Sequence, residues 1–154
     1  MSKVEKSIDV EVPVQVAYNQ WTQFEEFPRF MENVEHVRQV DDTHLHWTAK
    51  VAGRRKEWDA EITEQTPDQR VAWTSTSGAR NAGVVTFHRL DDQTSRVMLQ
   101  LDVEPEGPVE TAGAAIGVLE SEVSGDLERF KDFIESRDQE TGGWRGKVEQ
   151  TDVR

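Results

Sequence analysis

His44-Leu45-His46 sets two imidazoles two residues apart, and in an extended segment that spacing turns both to the same face. If Ala52-Gly53 is a two-residue hairpin turn, Asp59 falls opposite His46 and Glu61 opposite His44. Two imidazoles and two carboxylates have the donor character of a zinc or nickel site. The four lie on the polar side of their strands, however, where a solvated charged surface is the ordinary state of such residues. We therefore expect no resident metal, with His44, His46, Asp59 and Glu61 as a surface cluster suited to an adventitious ion. The sequence has no cysteine, which removes thiol nucleophiles, disulfides and thiolate metal sites. It has no G-x-S-x-G, P-loop, G-x-G-x-x-G or H-E-x-x-H pattern. The adjacent acids Glu25-Glu26 and Asp41-Asp42 are not spaced as an acid and a base about a substrate. No cofactor is expected.

The same hairpin register places Trp47 directly opposite Trp58, on the face away from the histidines. Leu45, Ala49, Ala60 and Ile62 share that face, and the next hairpin adds Val71 and Trp73. Indoles suit the wall of a mostly apolar ligand site, because each brings a large apolar surface and one N–H that needs a partner when buried. A plain packed core is the other reading of three such rings. By alternation Lys56 joins Trp58, and Ser75 joins Trp73, while Arg80 and Asn81 precede Ala82 in a loop. Arg80 suits a carboxylate or a polarised carbonyl, and Arg80 and Lys56 are the two weak candidates for a catalytic part. A solvated edge or turn position is the commoner state of each. His88 stays open: a three-residue turn at Asp91–Gln93 puts Phe87 inside, a four-residue turn puts His88 inside.

These residues need a sheet to hold them. Lys3–Val12 alternates, with Val4, Ile8, Val10 and Val12 on one side, as a half-buried strand does. Pro13 then opens two short helices, Val14–Thr22 and Glu25–Phe30, with Pro28 in the second. They carry Tyr18, Trp21, Phe24, Phe27 and Phe30, whose aromatics read as mainly structural, leaving Phe30 and Met31 as the two that reach toward a cavity mouth. His36–Val40, Leu45–Val51, Arg54–Gln65, Val71–Thr76, Ala82–Leu90 and Arg96–Glu104 are strand-like and separated by turn residues. From Val109 to Ile134 apolar residues recur every three or four positions, which predicts one long amphipathic helix. Gly113, Gly117 and Gly125 each weaken it by about 1 kcal/mol against alanine, so packing must supply what propensity lacks. Past Arg137 periodicity stops, and residues 138–154 read as a flexible tail, with Trp144 in Gly142–Gly146 its one aromatic.

The order β, α, α, six β, long α points to an α+β helix-grip fold: a curved seven-stranded antiparallel sheet around a C-terminal helix, one domain over 1–137. A chain of 154 residues suits a single core. Its formal charge of −12 repels nucleic-acid backbones and anionic lipid surfaces. No apolar run approaches a membrane span, and residues 1–10 are too charged for a signal peptide, so a cytoplasmic location is expected.

The segment VPVQVAYNQWTQFEEFPRFMENVEHV resembles the opening of the polyketide cyclase/dehydrase and coenzyme Q-binding branch of the START-like (SRPBCC) superfamily. There a first strand gives way to a Pro-led helix, a Trp, and a Phe-Pro-x-Phe/Met turn into the second strand. The similarity continues through RKEWDAEI and VAWTSTSGARNAGVVTFHRL to DLERFKDFIE, covering Lys3–Arg137. The resemblance implies a hydrophobic cavity between sheet and helix, in a superfamily of lipid carriers, hormone and quinone binders and aromatic polyketide cyclases. Its expected lining is Phe30, Met31, Trp47, Trp58, Trp73, Ser75, Arg80, Gly113, Ile116, Gly117 and Leu119, with Ala112 and Ala115 leaving volume unfilled. The expected partner is a hydrophobic small molecule such as a lipid, isoprenoid quinone or polyketide, bound for transport or sequestration. A polyketide cyclase or aromatase acting in the same cavity is the enzymatic alternative, and an interaction or chaperone-like module using the acidic surface and Trp144 is the third reading. The sequence leaves the oligomeric state open.

Overall fold

A computed structural model describes residues 2–51, 54–103, 109–137 and 140–149, with side chains from 3–50, 54–103 and 116–137 and from the 140–149 segment. The Ala52-Gly53 turn, Glu104, Ala112, Gly113 and Ala115 lie outside the residues whose turns or side chains can be placed. Strand β1 (Ser2–Val10) leads into helix α1 (Val14–Trp21) and a 3-10 turn (Phe24–Arg29). A meander follows: β2 (Val34–Gln39), β3 (His44–Val51), β4 (Arg54–Thr66), β5 (Arg70–Gly78), β6 (Asn81–Asp91) and β7 (Thr94–Val103). Helix α2 spans Val109–Arg137.

All seven strands form one antiparallel sheet in the order β1-β7-β6-β5-β4-β3-β2. Each meander strand pairs with its neighbour in sequence, while β1 joins β7 at the far edge. The helical segment after β1 therefore carries the chain from one edge of the sheet to the other. Bulges bend the sheet on the way: Thr63 is extra in β4 and Thr76 in β5, and each such insertion kinks its strand and increases the local twist. Beyond Thr63 the inward set shifts from Ala60 and Ile62 to Gln65, which is buried.

Pro13 caps α1 without a side-chain bond; its carbonyl accepts the amides of Val16 and Ala17 at 3.0 and 3.2 Å. The second expected helix is a 3-10 turn instead. Pro28 lies inside it and has no N–H to donate, and the tighter Phe30 N–H to Phe27 carbonyl bond, 3.1 Å, closes the segment. The open His88 question resolves with Phe87 buried and His88 exposed. The turn itself is shorter than either alternative, because Asp91 already pairs with Thr94 after a bulge at Leu90.

The core gathers at one end of the sheet. Tyr18, Trp21, Phe24, Phe27, Phe30, Phe87 and Phe130 are buried together. Trp21 is central: its ring lies 5.3, 6.3 and 5.1 Å from those of Phe27, Phe87 and Phe130, each nearly edge-on. Helix α2 inserts Leu127, Phe130 and Ile134 there, and Arg129 donates to the Phe30 carbonyl at 3.0 Å. This is the tertiary packing that its glycine-containing sequence requires.

Residues 141–149 dock where no periodicity announced order. Gln20 and Thr141 bond reciprocally at 3.0 and 2.8 Å, Trp144 donates its amide to Thr22 Oγ1 at 2.9 Å, and Arg145 bonds Asn19 and Asp68 at 2.6 and 2.7 Å. Val148 exchanges backbone bonds with Gln65 at 2.7 and 2.9 Å. That edge of β4 is free because β3 begins its pairing only at Glu61. The segment is held by partners distant in sequence, which is why its own residues carry no local signal.

Candidate functional site

Trp47 and Trp58 are cross-strand partners, as the hairpin register requires. Their rings stack with centroids 5.7 Å apart and planes 9° apart. Ile62 pairs with Trp73, and Trp73 with Gly83, so the three tryptophans share the concave face of β3, β4 and β5. All three are half-buried. Helix α2 packs chiefly on β1, α1 on β6 and β7, and the 3-10 turn on β2, and the indoles line the part of the face between these covers.

Two glycines seat this wall. A methyl at Gly83 would come within 2.6 Å of the Trp73 ring and 2.8 Å of the Gln100 carbonyl oxygen, so the indole lies against bare backbone. Gly78 pairs with Trp58 at a φ of 81°, a left-handed conformation that glycine adopts freely, and a methyl there would meet the Glu57 carbonyl oxygen at 2.3 Å. Neither glycine is legible as a site residue from the sequence, since what each accommodates lies on a neighbouring strand. A Gly in a strand interior is the available signal for such a close approach.

The indole N–H groups differ. Trp73 donates to Asn81 Oδ1 at 3.3 Å, and Asn81 is held in turn by its amide N–H to Ser75 Oγ at 3.1 Å and its side chain to the Ala79 carbonyl at 3.1 Å. Asn81 is thus a polar part of the wall that the sequence left in a loop. The N–H groups of Trp47 and Trp58 are shielded from solvent and have no hydrogen-bond partner among the described residues. A donor left so costs about 1–3 kcal/mol.

The other expected lining residues separate into groups. Lys56 is half-buried, pairs with Ala49 and follows the inward register of Trp58. Ser75 pairs with the buried Ala60. Arg80 is exposed in the turn between β5 and β6. Phe30 and Met31 are buried, Phe30 against Trp21, Phe27, Phe130 and Phe133, so Phe30 belongs to the aromatic core rather than to the tryptophan wall. On α2, Ile116 and Leu119 pack on the core, whereas Gly117 is exposed and a methyl there meets no atom within 4 Å. It faces open space.

The histidine cluster sits on the opposite, convex face and splits in two. His46 Nδ1 lies 2.7 Å from Asp59 and Nε2 3.3 Å from Glu57, and Ser77 Oγ donates to the far oxygen of Asp59 at 2.6 Å. His44 turns instead to Asp41, 2.9 Å away, and leaves Glu61 aside. Among the described residues no group of three or more His, Asp or Glu is placed to hold a metal ion. Hydrogen bonds donated to Asp59 first, then to Glu57, raise the pKa of His46, and one to Asp41 raises that of His44. The cluster acts as ordinary surface pairing.

No helix among the described residues is long and apolar enough to cross a membrane. In solved structures the arrangement is similar to a START superfamily protein from Mycobacterium smegmatis, at TM-score 0.73 and 10% identity over 88% of this chain and 98% of that one. It is also similar to the Zhui aromatase/cyclase from Streptomyces sp. R1128, at TM-score 0.74 and 15% identity over 93% and 99%. At such identities the likeness concerns the helix-grip fold alone. An uncharacterized 17.2 kDa protein of the melC2-rnhH intergenic region of Streptomyces lincolnensis is 61% identical over 149 residues, 96% of this chain and 99% of the relative. The family model described as polyketide cyclase / dehydrase and lipid transport matches residues 10–132, which include both the aromatic core and the tryptophan wall, and the chain belongs to that family.

Proposed function

We propose that the protein binds a hydrophobic small molecule, such as a lipid, isoprenoid quinone or polyketide, against Trp47, Trp58 and Trp73, and carries or sequesters it. The observation that supports this is the half-burial of three adjacent indoles on the concave face of a sheet whose other end buries its aromatics completely. Apolar burial contributes about 25 cal/mol per Å², and micromolar affinity needs about 8 kcal/mol. Ligand and wall together must therefore remove roughly 300 Å² or more of apolar surface from water, beyond what ordering costs add. That demand suits a fused-ring or chain-bearing molecule better than a single small ring.

A cyclase or dehydrase acting on a polyketide in the same space is the second reading, favoured by the family to which residues 10–132 belong and by the half-buried Lys56 on the inward register of this wall. The Zhui aromatase/cyclase shares the fold. Native mass spectrometry of the purified chain separates the two. A co-purifying lipid or quinone is the carrier's signature, and a bare protein that turns over polyketide mimics is the cyclase's. If Trp47→Ala and Trp58→Ala leave the binding of every apolar probe unchanged, the wall is not the site.

A further inference from the structure

Asn81 opens β6 on the concave side of the sheet. It stands two residues before Gly83, the seat of the Trp73 ring, and pairs with Val103, while Gly83 pairs with Leu101. Its neighbours on that face are therefore an indole and two aliphatic chains, all packed on the core. Three bonds fix it there. Its amide N–H donates to Ser75 Oγ at 3.1 Å, Nδ2 donates to the Ala79 carbonyl at 3.1 Å, and Oδ1 accepts from Trp73 at 3.3 Å. A brace for the turn between β5 and β6 needs the first two alone. The third turns the carboxamide toward the wall, and the residue is half-buried there, not sealed.

A carboxamide has two N–H donors and two acceptor lone pairs. One of each is taken at Asn81, so one N–H and one lone pair have no partner among the described residues. We infer that the Asn81 carboxamide is the polar contact of the tryptophan wall, and that the ligand it orients carries a neutral hydroxyl group on an otherwise apolar body. This rests on the proposal that the wall binds a hydrophobic ligand, and it adds the ligand's polar chemistry and its direction. The opposed pairs run Ile62–Trp73, Ala60–Ser75, Trp58–Gly78, so the hydroxyl end lies by Trp73 and the apolar body extends toward Trp58 and Trp47. A hydroxyl both donates and accepts, which matches both open positions, whereas an ether only accepts and an ammonium only donates. A carboxylate also only accepts, and it must approach a chain of formal charge −12.

Three probes that share one ring system test this: 2-naphthol, 2-methylnaphthalene and 2-methoxynaphthalene. Each is titrated into the full chain with nitrogen-15 in its asparagines, and affinities are measured by calorimetry. The naphthol is expected to move the Asn81 side-chain proton signals further downfield than the methyl compound does, with Asn19 and Asn33 as internal references. Asn81→Leu should lower the naphthol-to-methylnaphthalene affinity ratio by about two- to tenfold. Ser75→Ala keeps the carboxamide and removes its backbone anchor, so it should lower the ratio less. The signals of the unmodified chain decide the matter where a variant folds poorly. If naphthol and methylnaphthalene move the Asn81 signals alike, the inference is overturned while the apolar site stands, and an unchanged ratio in folded Asn81→Leu has the same meaning. If Asn81→Leu weakens methoxynaphthalene as much as naphthol, the ligand group is not a hydroxyl. If no probe binds, the wall itself fails as a site, and the inference with it.

Discussion

Trp21 and Trp58 are both inward-facing tryptophans of one domain, yet the first is 3% exposed among Phe27, Phe87 and Phe130, while the second is half-buried and stacks on Trp47. Around Trp21 three elements converge: α1, the 3-10 turn and the last turns of α2, with β6 beneath. Around Trp58 the sheet supplies its own packing, strand against strand. The difference teaches that residue type does not decide whether an aromatic on this sheet is core or surface. What decides is how many covering elements reach it, and α2 packs chiefly on β1.

The sharpest way to break that contrast is a matched pair of truncations. Trp21→Ala should destabilise the protein by about 3–5 kcal/mol, the range for deleting a large buried aromatic, and Trp58→Ala by about 1–2 kcal/mol, the worth of partial burial plus one stacked pair. Urea denaturation measures both, and equal losses would make the wall ordinary core. A smaller effect tests the seat of the wall. Gly83→Ala places a methyl 2.6 Å from the Trp73 ring and 2.8 Å from a backbone oxygen, so a loss of about 1–3 kcal/mol is expected. The Trp73 indole proton signal should shift as its bond to Asn81 is disturbed; an unmoved signal would show that Gly83 does not position that ring.

The smallest effect lies on the convex face, where neither region is involved. His46 is held above its ordinary pKa by Asp59 and Glu57, so its pairing favours the folded state while the imidazole is protonated. That contribution is fully present below the unfolded value of about 6.5 and fades as pH rises through the higher folded value. Asp59→Asn should lower the His46 midpoint in an NMR titration and leave probe binding at the wall untouched. A change in binding would show that the two faces of the sheet are coupled.

Much of the frame is legible in the residues. Period-two alternation placed the strands, and spacings of three and four placed α2. The assumption of a two-residue turn at Ala52-Gly53 led to the observed pairing of Trp47 with Trp58. The bulges at Thr63 and Thr76 were not legible, because an inserted residue shows itself only through the neighbour it fails to pair with. Gly78 and Gly83 were missed, and Asn81 was left in a loop without its partner, for a similar reason: each is defined by the tryptophan it meets across a strand or turn. The tail 138–154 read as flexible, whereas Thr141 to Val148 bond to Gln20, Thr22, Asn19, Gln65 and Asp68, all more than seventy residues away along the chain.

By itself the sequence determined which residues form strands and helices, which face of each is apolar, and the absence of thiol chemistry, since periodicity and composition are properties of neighbours along the chain. The tertiary structure decided which aromatics are sealed and which form a wall, that Gly117 faces open space, that His44 and His46 part company, and that two of three wall indoles have no acceptor among the described residues. Those outcomes depend on which elements cover which part of a bent sheet, and the energy that sets them comes from contacts between residues far apart in sequence.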